Sequence, residues 1–340
     1  MPEDRPGTPS SPTRRDVLAL GARFSALALA SASLAACGIR FEDDATGGPG
    51  SPARRPLAGE PYLLSLRRRS LELATQAKAL KGPVKGLPAR LAVLHTRQAE
   101  VLGTELLRLG VPASVVDEPV PTTTSSTATG MTTSSTTGAT PPASATAAGG
   151  PQVLATSEAS DLGPAAVRSL AGVPADVLPL AGAVLAQRAA AAALLGSPAP
   201  WPEPTWSEPS LAASYLQSTR AAVYGFQVVA AQSPTGAKGT LAKTTLAVLE
   251  ARQARQEALA GTAAAPPPLG YPLPFPVTTP AGARKLATHV LSELLAAGAR
   301  DLGSTGGEAG PLGSVVQWLA DTEVLASRWG IPLAPFPGLA

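Results

Sequence analysis

Apolar and small residues recur at intervals of three and four along most of this chain, a spacing that places them on one face of an amphipathic helix. Leu63, Leu66, Ser70, Leu73 and Ala77 show the pattern most clearly. No stretch has the strict apolar–polar alternation typical of a strand, so we predict an all-α protein. The predicted helices cover residues 62–80, 87–109, 152–170, 176–195, 210–232, 238–260, 281–299 and 311–329.

The connections between these helices follow the same order in both halves of the chain: short, long and short. In the second half the long connection is a proline-rich strap at residues 266–280 (PPPLGYPLPFPVTTP). Two helix pairs joined by one long crossover are typical of a four-helix bundle. We predict two such bundles in tandem, at residues 58–196 and 210–340, with a proline-rich linker at 197–209. Alternatively, the first half is a looser set of helical hairpins completed by contact with the second.

The long connection of the first half contains an insert at residues 117–150, and from residue 119 it is almost entirely Thr, Ser, Ala, Gly and Pro. Such a segment has too little apolar surface to offset the conformational entropy lost on ordering. We therefore predict that the insert is disordered. Its many hydroxyl side chains leave open whether it is glycosylated.

Composition indicates which residues build the cores and excludes one class of partner. Hydrophobic residues make up 44% of the chain but aromatic residues only 4%, so the cores must be built mainly from Ala, Leu and Val. The formal net charge is +3, and its excess of basic residues is scattered. Nucleic-acid binding requires a basic stripe or a recognisable motif. Neither is present, and we predict no nucleic-acid partner.

The N-terminal residues carry an export and anchoring signal. Arg14 and Arg15 begin a twin-arginine pattern (TRRDVL), which an apolar stretch follows. That stretch ends in Leu-Ala-Ala-Cys, which resembles the lipobox of bacterial lipoproteins; the resemblance implies cleavage before Cys37 and a diacylglycerol on its thiol. We predict a signal peptide at residues 1–36, a lipidated tether at 37–57, and a place on the extracytoplasmic face of the plasma membrane.

Other interpretations of this stretch remain open. An uncleaved membrane anchor requires about 20 apolar residues, and Arg23 together with many Ala and Ser residues weakens that interpretation. A buried helix is a third interpretation. The paired arginines do not by themselves distinguish twin-arginine export from general secretion.

His95 and Gln98 are the first candidate site residues. Both share a helix face with Leu91 and Leu102, which places their side chains against the core of the first half. A functional role would be contact with a ligand or metal, aided by a nearby carboxylate of Glu72 or Glu100. The simpler interpretation is a buried histidine whose ring nitrogens bond to neighbouring side chains.

Arg252 and Glu323 form the second candidate pair. Each lies on the apolar stripe of its predicted helix, and a buried Arg–Glu pair would fix the register of the two helices or line a polar pocket. His289 lies beside an apolar stripe, and we expect it at the rim of the second half.

Five segments of the second half carry a family resemblance: residues 221–226 (AAVYGF), 255–259 (RQEAL), 271–277 (YPLPFPV), Trp329, and 336–339 (FPGL). They resemble DUF4439, a ferritin-like family of exported lipoproteins in high-GC bacteria, over residues 208–340. The resemblance implies a ferritin-like four-helix bundle and a location in the cell envelope. It implies no established activity.

Ferritin-like metal sites use inward Glu residues and Glu-x-x-His pairs, because hard metal ions prefer several carboxylates with an imidazole one turn away. Neither His95 nor His289 has a Glu three residues before it; Ala92 and Leu286 stand there. We therefore predict no metal site, no cofactor and no enzymatic activity.

The sequence thus predicts a non-catalytic envelope lipoprotein, anchored through Cys37, that binds an unknown envelope protein or a small apolar ligand. The alternative is a metal-dependent ferritin-like oxidase or metal-binding protein with a degenerate site around His95.

Overall fold

The structure is a computed structural model, and it describes residues 54–80, 86–118, 150–201, 203 and 205–339. Within these ranges the regular structure is entirely helical, which confirms the predicted fold class. The signal peptide, Cys37 and most of the Thr/Ser insert lie outside the described residues. The helices are α1 (Glu60–Ala79), α2 (Leu87–Arg108), α3 (Ala113–Val116), α4 (Pro151–Ala159), α5 (Pro164–Ala171), α6 (Leu178–Leu194), α7 (Pro209–Gln232), α8 (Ala237–Ala260), α9 (Pro280–Ser304) and α10 (Ala309–Arg328).

The helix predicted at residues 152–170 is wrong as a single element, because the structure has α4 and α5 there. Between them the backbone turns through Asp161 and Gly163, at φ 60° and 133°. Pro164 then occupies the first turn of α5, where its missing N–H leaves no helical bond unmade. The turn between α4 and α5 forms one wall of a cavity.

Helix α6 lies at the centre of the fold. Its sequence, LPLAGAVLAQRAAAAAL, is apolar all round except for Gln187 and Arg188, and most of its residues are buried. A helix without a polar face is stable only when other elements cover it on every side. Here α4, α9 and α10 pack against it, and its many alanines allow a close approach.

The second half contains two antiparallel helix pairs, α7 with α8 and α9 with α10, and α9 also packs against α7. The strap joins the pairs as the long connection predicted from its prolines. It lies on the helices through aromatic contacts: Tyr271 meets Tyr224 with ring centroids 5.8 Å apart, and Lys285 Nζ lies 4.5 Å from the centroid of the Phe275 ring. The ferritin-like order of this half remains a prediction.

Both halves contribute to one hydrophobic core. A single cluster includes Leu63 and Leu106 from the first half together with Leu291 and Leu319 from the second. The described residues from Pro56 onward pack as one compact unit. The predicted linker at 197–209 therefore does not separate two cores in the described residues, and the packing agrees with the alternative in which the first half is completed by the second. No helix among those described combines the length and apolarity needed to cross a bilayer.

Candidate functional site

A chain of buried polar side chains runs through the core between α2, α4 and α6. His95 is fully buried, as its helix face predicts, and both ring nitrogens have partners. Nδ1 lies 2.9 Å from Gln98 Oε1, and Nε2 lies 2.6 Å from Glu158 Oε1. Gln98 Nε2 donates to Gln187 Oε1 at 2.9 Å and to the carbonyl oxygen of Pro335 at 2.8 Å.

The hydrogen bonds of Gln98 fix the proton positions on His95. A backbone carbonyl only accepts, so the Gln98 group facing Pro335 is the amide nitrogen and the group facing His95 is the oxygen. His95 Nδ1 must therefore carry a proton and donate it to Gln98 Oε1. Between His95 Nε2 and Glu158 Oε1 there is room for one proton. The second oxygen of this carboxyl group, Glu158 Oε2, has no hydrogen-bond partner.

Arg188 follows Gln187 on α6 and is also buried, with 1% of its surface exposed. Its Nη2 donates to two backbone oxygens, those of Ser160 at 2.6 Å and Glu158 at 3.3 Å. Its Nε has no hydrogen-bond partner. Burial lowers the pKa of this guanidinium, with the nearby Glu158 acting in the opposite direction. A buried donor without a partner is costly, and such groups are rare in folded proteins.

A cavity of about 540 Å³ opens beside Arg188, between α1, α5 and the turn that precedes α5. Apolar atoms of Leu66, Leu162 and Ala166 form part of its wall. Tyr62 also lines it, but its hydroxyl is buried without a hydrogen-bond partner, and burial raises the pKa of this phenol. The cavity thus has partly apolar walls, and two unpartnered donors, Arg188 Nε and Tyr62 Oη, are buried next to it.

Charged side chains also border the cavity. Arg69 bonds to Glu72 Oε2 at 3.0 Å, and its Nε lies 3.5 Å from Asp161 Oδ2. Arg69 also donates to the backbone oxygen of Ser157 at 2.6 Å, so α1 is tied to the end of α4. Together with Arg68 and Arg188, the lining has three guanidinium groups and two carboxylates.

The structure corrects the predicted partners of His95. Neither Glu72 nor Glu100 reaches it: Glu72 pairs with Arg69, and Glu100 pairs with Arg97 on the surface at 3.2 Å. The carboxylate at His95 is Glu158, which arrives from α4. Helix spacing reveals side chains on the same helix but not the ones that a distant element brings opposite.

The predicted ion pair between Arg252 and Glu323 is also wrong. Both side chains are buried, but Arg252 Nη1 donates to Thr322 Oγ1 at 2.8 Å. Glu323 Oε1 accepts from the backbone N–H of Ala334 at 3.0 Å and so holds the C-terminal segment. Burial lowers the pKa of Arg252 to about 10 and raises the pKa of Glu323 to about 8, since neither charge is well solvated.

A second, much smaller cavity of about 20 Å³ lies where α7, α8, α9 and α10 meet. Arg252 and Gln256 line it, and Arg252 Nη2 and Gln256 Oε1 both lack partners. A volume of this size holds about one water molecule. It is too small for an organic ligand. Three other cavities have volumes of about 240, 250 and 320 Å³, and the cavity beside Arg188, at about 540 Å³, is larger than each of them.

The remaining candidate residues lie apart from this site or outside the described residues. Cys37, Arg14 and Arg15 fall outside the described residues. His289 is exposed, as expected for a rim position, and its ring lies 6.3 Å from that of Phe275. Among the described residues, no group of three or more His, Cys, Asp or Glu side chains is arranged to hold a metal ion.

Sequence reasoning missed Glu158, Gln187 and Arg188 as site residues. For Gln187 and Arg188 a signal existed, because they are the only polar side chains in an otherwise apolar helix. Such residues must be buried with partners or face a cavity. Glu158 gave no comparable signal, because its helix is short and weakly amphipathic.

Comparison with known proteins identifies one part of the chain. Residues 212–340 match the family described as "Domain of unknown function (DUF4439)", which confirms the resemblance found in the second half. The match includes most of α7, all of α8 to α10 and the strap. The cavity beside Arg188 is built by helices that precede it. No curated protein and no solved structure matches the chain.

Glu323→Gln should alter the pH dependence of stability. The folded pKa of about 8 lies above the usual 4.5, so the folded state holds this proton more tightly than the unfolded state. Wild-type stability should fall as pH rises from about 4.5 through about 8, by on the order of 2 kcal/mol or more. Glutamine cannot ionise and keeps an oxygen for Ala334. In urea unfolding at pH values from 4.5 to 8.5, the free energy of unfolding of the variant should rise relative to that of wild type as the pH increases. The same dependence on pH in both proteins would contradict the burial of Glu323. Glu100→Gln is the exposed control.

Proposed function

From the premise that residues 212–340 are a DUF4439 domain without an assigned activity, we propose that the protein is a non-catalytic ligand-binding protein of the cell envelope. The ligand is a small organic molecule, and it binds in the cavity between α1, α5 and α6. The DUF4439 region provides α9 and α10, which pack against α6.

The observation that supports this function most directly is the cavity itself. Its volume of about 540 Å³ falls within the range of small-molecule sites, roughly 300 to 1,000 Å³. Such sites have mostly apolar walls and a few fixed polar groups that orient the ligand. Arg69 is such a group, because it lines the cavity and is held by Glu72 and by the backbone oxygen of Ser157.

We further propose that the protein is anchored to the outer face of the plasma membrane by a lipid on Cys37. The twin arginines, Arg14 and Arg15, and the lipobox-like segment before Cys37 support this. The mature chain carries too little net charge to bind a bilayer electrostatically, so the lipid would supply the anchoring. From the outer face of the membrane, the anchored protein would bind any partner protein in the cell envelope.

Cys37→Ser tests the anchor, because serine cannot take up the thioether-linked lipid. We expect the wild-type chain in the membrane fraction and labelled by an alkyne fatty acid, and the variant unlabelled and released. Ser33→Ala, within the same segment, is the matched control. A variant that stays in the membrane fraction would favour an uncleaved anchor instead.

Ser169→Trp tests the cavity as the binding site. Ser169 lines the cavity but is exposed, so the larger ring should enter the cavity without disturbing the core. Native mass spectrometry of the full chain, purified from its own envelope, should show an organic ligand on wild type and loss of that ligand on the variant. Ala254→Trp, at an exposed position on α8, is the control. Retention of the ligand by Ser169→Trp would contradict the site, and a stoichiometric metal ion in its place would favour the metal-binding alternative.

A further inference from the structure

We propose that the protein has a second binding site, for the phosphate group of a small phosphate ester, at one end of the four helices α7 to α10. The site is a cavity of about 320 Å³ lined by residues at or next to the ends of these helices. It shares no lining residue with the cavity beside Arg188, so this proposal does not depend on the proposed function. The charge, accessibility and size of the cavity support it.

Three basic side chains from three helices line this cavity. Lys238 belongs to the first turn of α8, Arg284 to the second turn of α9, and Arg328 to the last turn of α10. All three residues are exposed, so a ligand in the cavity can reach them. Within the described part of the chain, their side chains form no ion pair and donate no hydrogen bond, and no carboxylate lines the cavity.

Arg284 extends from α9 to the end of α10. Gly330 follows α10 at φ 90°, and a Cβ placed on it would lie 3.4 Å from Arg284 Nη2. The guanidinium therefore lies against the residue two positions after Arg328. A phosphate monoester carries about two negative charges and three strong acceptor oxygens, and guanidinium groups bind such oxygens in pairs. Two arginines and a lysine on one cavity therefore suit a phosphate better than a carboxylate, which has a single charge.

The surrounding end of the bundle has the same sign of charge. The last two turns of α7 and α10 and the first two turns of α8 and α9 are all described, and their exposed charged residues are Lys238, Lys243, Arg284, Lys285 and Arg328. The one acidic residue in these turns, Glu323, is buried and bonded to Ala334. The last two turns of α8 and α9, at the opposite end, contain two basic and two acidic residues: Arg255, Glu257, Arg300 and Asp301. The positive charge is thus local to the end that contains the cavity.

The helix dipoles do not explain this charge. Two of the four helices begin at this end and two finish there, so their dipoles largely offset each other. The N-terminus of α9 is also capped already, because Thr279 accepts a hydrogen bond from the backbone N–H of Gly282. The basic side chains, rather than helix N-termini, would therefore bind the anion.

The rest of the cavity fits an organic ester better than inorganic phosphate. Apart from Ser233 and the three cations, the lining is mainly apolar: Pro234, Leu241, Pro280, Ala281 and Trp329. Trp329 is fixed in place, because its ring nitrogen donates to Thr245 Oγ1 at 3.0 Å. A volume of about 320 Å³ lies at the lower end of the range for small-molecule sites, roughly 300 to 1,000 Å³. It leaves room for a few carbon atoms beside the phosphate.

Isothermal titration calorimetry on the full chain with Cys37→Ser, which avoids a lipid on the protein, tests the site with glycerol 1-phosphate and acetate at matched ionic strength. We expect glycerol 1-phosphate to bind about tenfold or more tightly than acetate, because it offers more charge and more acceptors. Arg284→Gln and Arg328→Gln should each weaken its binding about threefold to tenfold, as expected for exposed charge-assisted contacts. Arg255→Gln removes an exposed arginine at the far end of α8 and should leave binding unchanged.

Vesicles distinguish a soluble ester from a lipid headgroup. The same protein is sedimented with phosphatidylcholine vesicles, with and without phosphatidic acid, whose headgroup is a phosphate monoester. Sedimentation that requires phosphatidic acid and falls in Arg284→Gln would assign the phosphate to a lipid. Binding of glycerol 1-phosphate without such sedimentation would assign it to a soluble ester.

Three results would overturn the site. The first is that neither glycerol 1-phosphate nor the phosphatidic acid vesicles bind. The second is that acetate binds as tightly as glycerol 1-phosphate. The third is that Arg284→Gln and Arg328→Gln both bind like the parent protein. None of these results would alter the loss of ligand expected for Ser169→Trp, so the proposed function is tested separately.

Discussion

The fold depends on the complete burial of α6. A helix of alanine and leucine with no polar face has no stable place at a surface, so other helices must cover every side of it. In this chain the cover comes from α4 in the first half and from α9 and α10 in the second. The two halves are thus joined by a shared requirement to bury one helix, rather than by the proline-rich linker between them.

Burying α6 also places two polar side chains inside the core. Gln187 and Arg188 must find partners inside the core, because a buried polar group without one costs roughly 1–3 kcal/mol. Gln187 accepts from Gln98, which links onward to His95 and to the C-terminal segment at Pro335. Arg188 is satisfied on one side only, by backbone oxygens near the end of α4. Its Nε is buried next to the cavity and has no hydrogen-bond partner.

Much of the fold was predictable from the sequence, because helix periodicity and proline placement are local signals. The strap joins α8 and α9 as expected, and His95 and Gln98 lie in the core where their helix face places them. Pairings between distant elements were not predictable: Glu158 meets His95 across 63 residues, and Glu323 bonds to Ala334 rather than to Arg252. Which side chains lie opposite each other depends on how helices pack, and spacing within one helix does not reveal this.

We expect both halves to unfold together, as one cooperative core around α6. Trp318 and Trp329 lie in the second half, and Trp201 and Trp206 lie in the linker before it, so tryptophan fluorescence reports these two parts of the chain. Far-UV circular dichroism reports helices in both. In urea unfolding of the full chain, the two signals should give the same midpoint and the same dependence of the unfolding free energy on urea concentration, as expected for a single cooperative transition. Loss of far-UV signal at a lower urea concentration than the fluorescence change would contradict a shared core, because the first half would then unfold by itself.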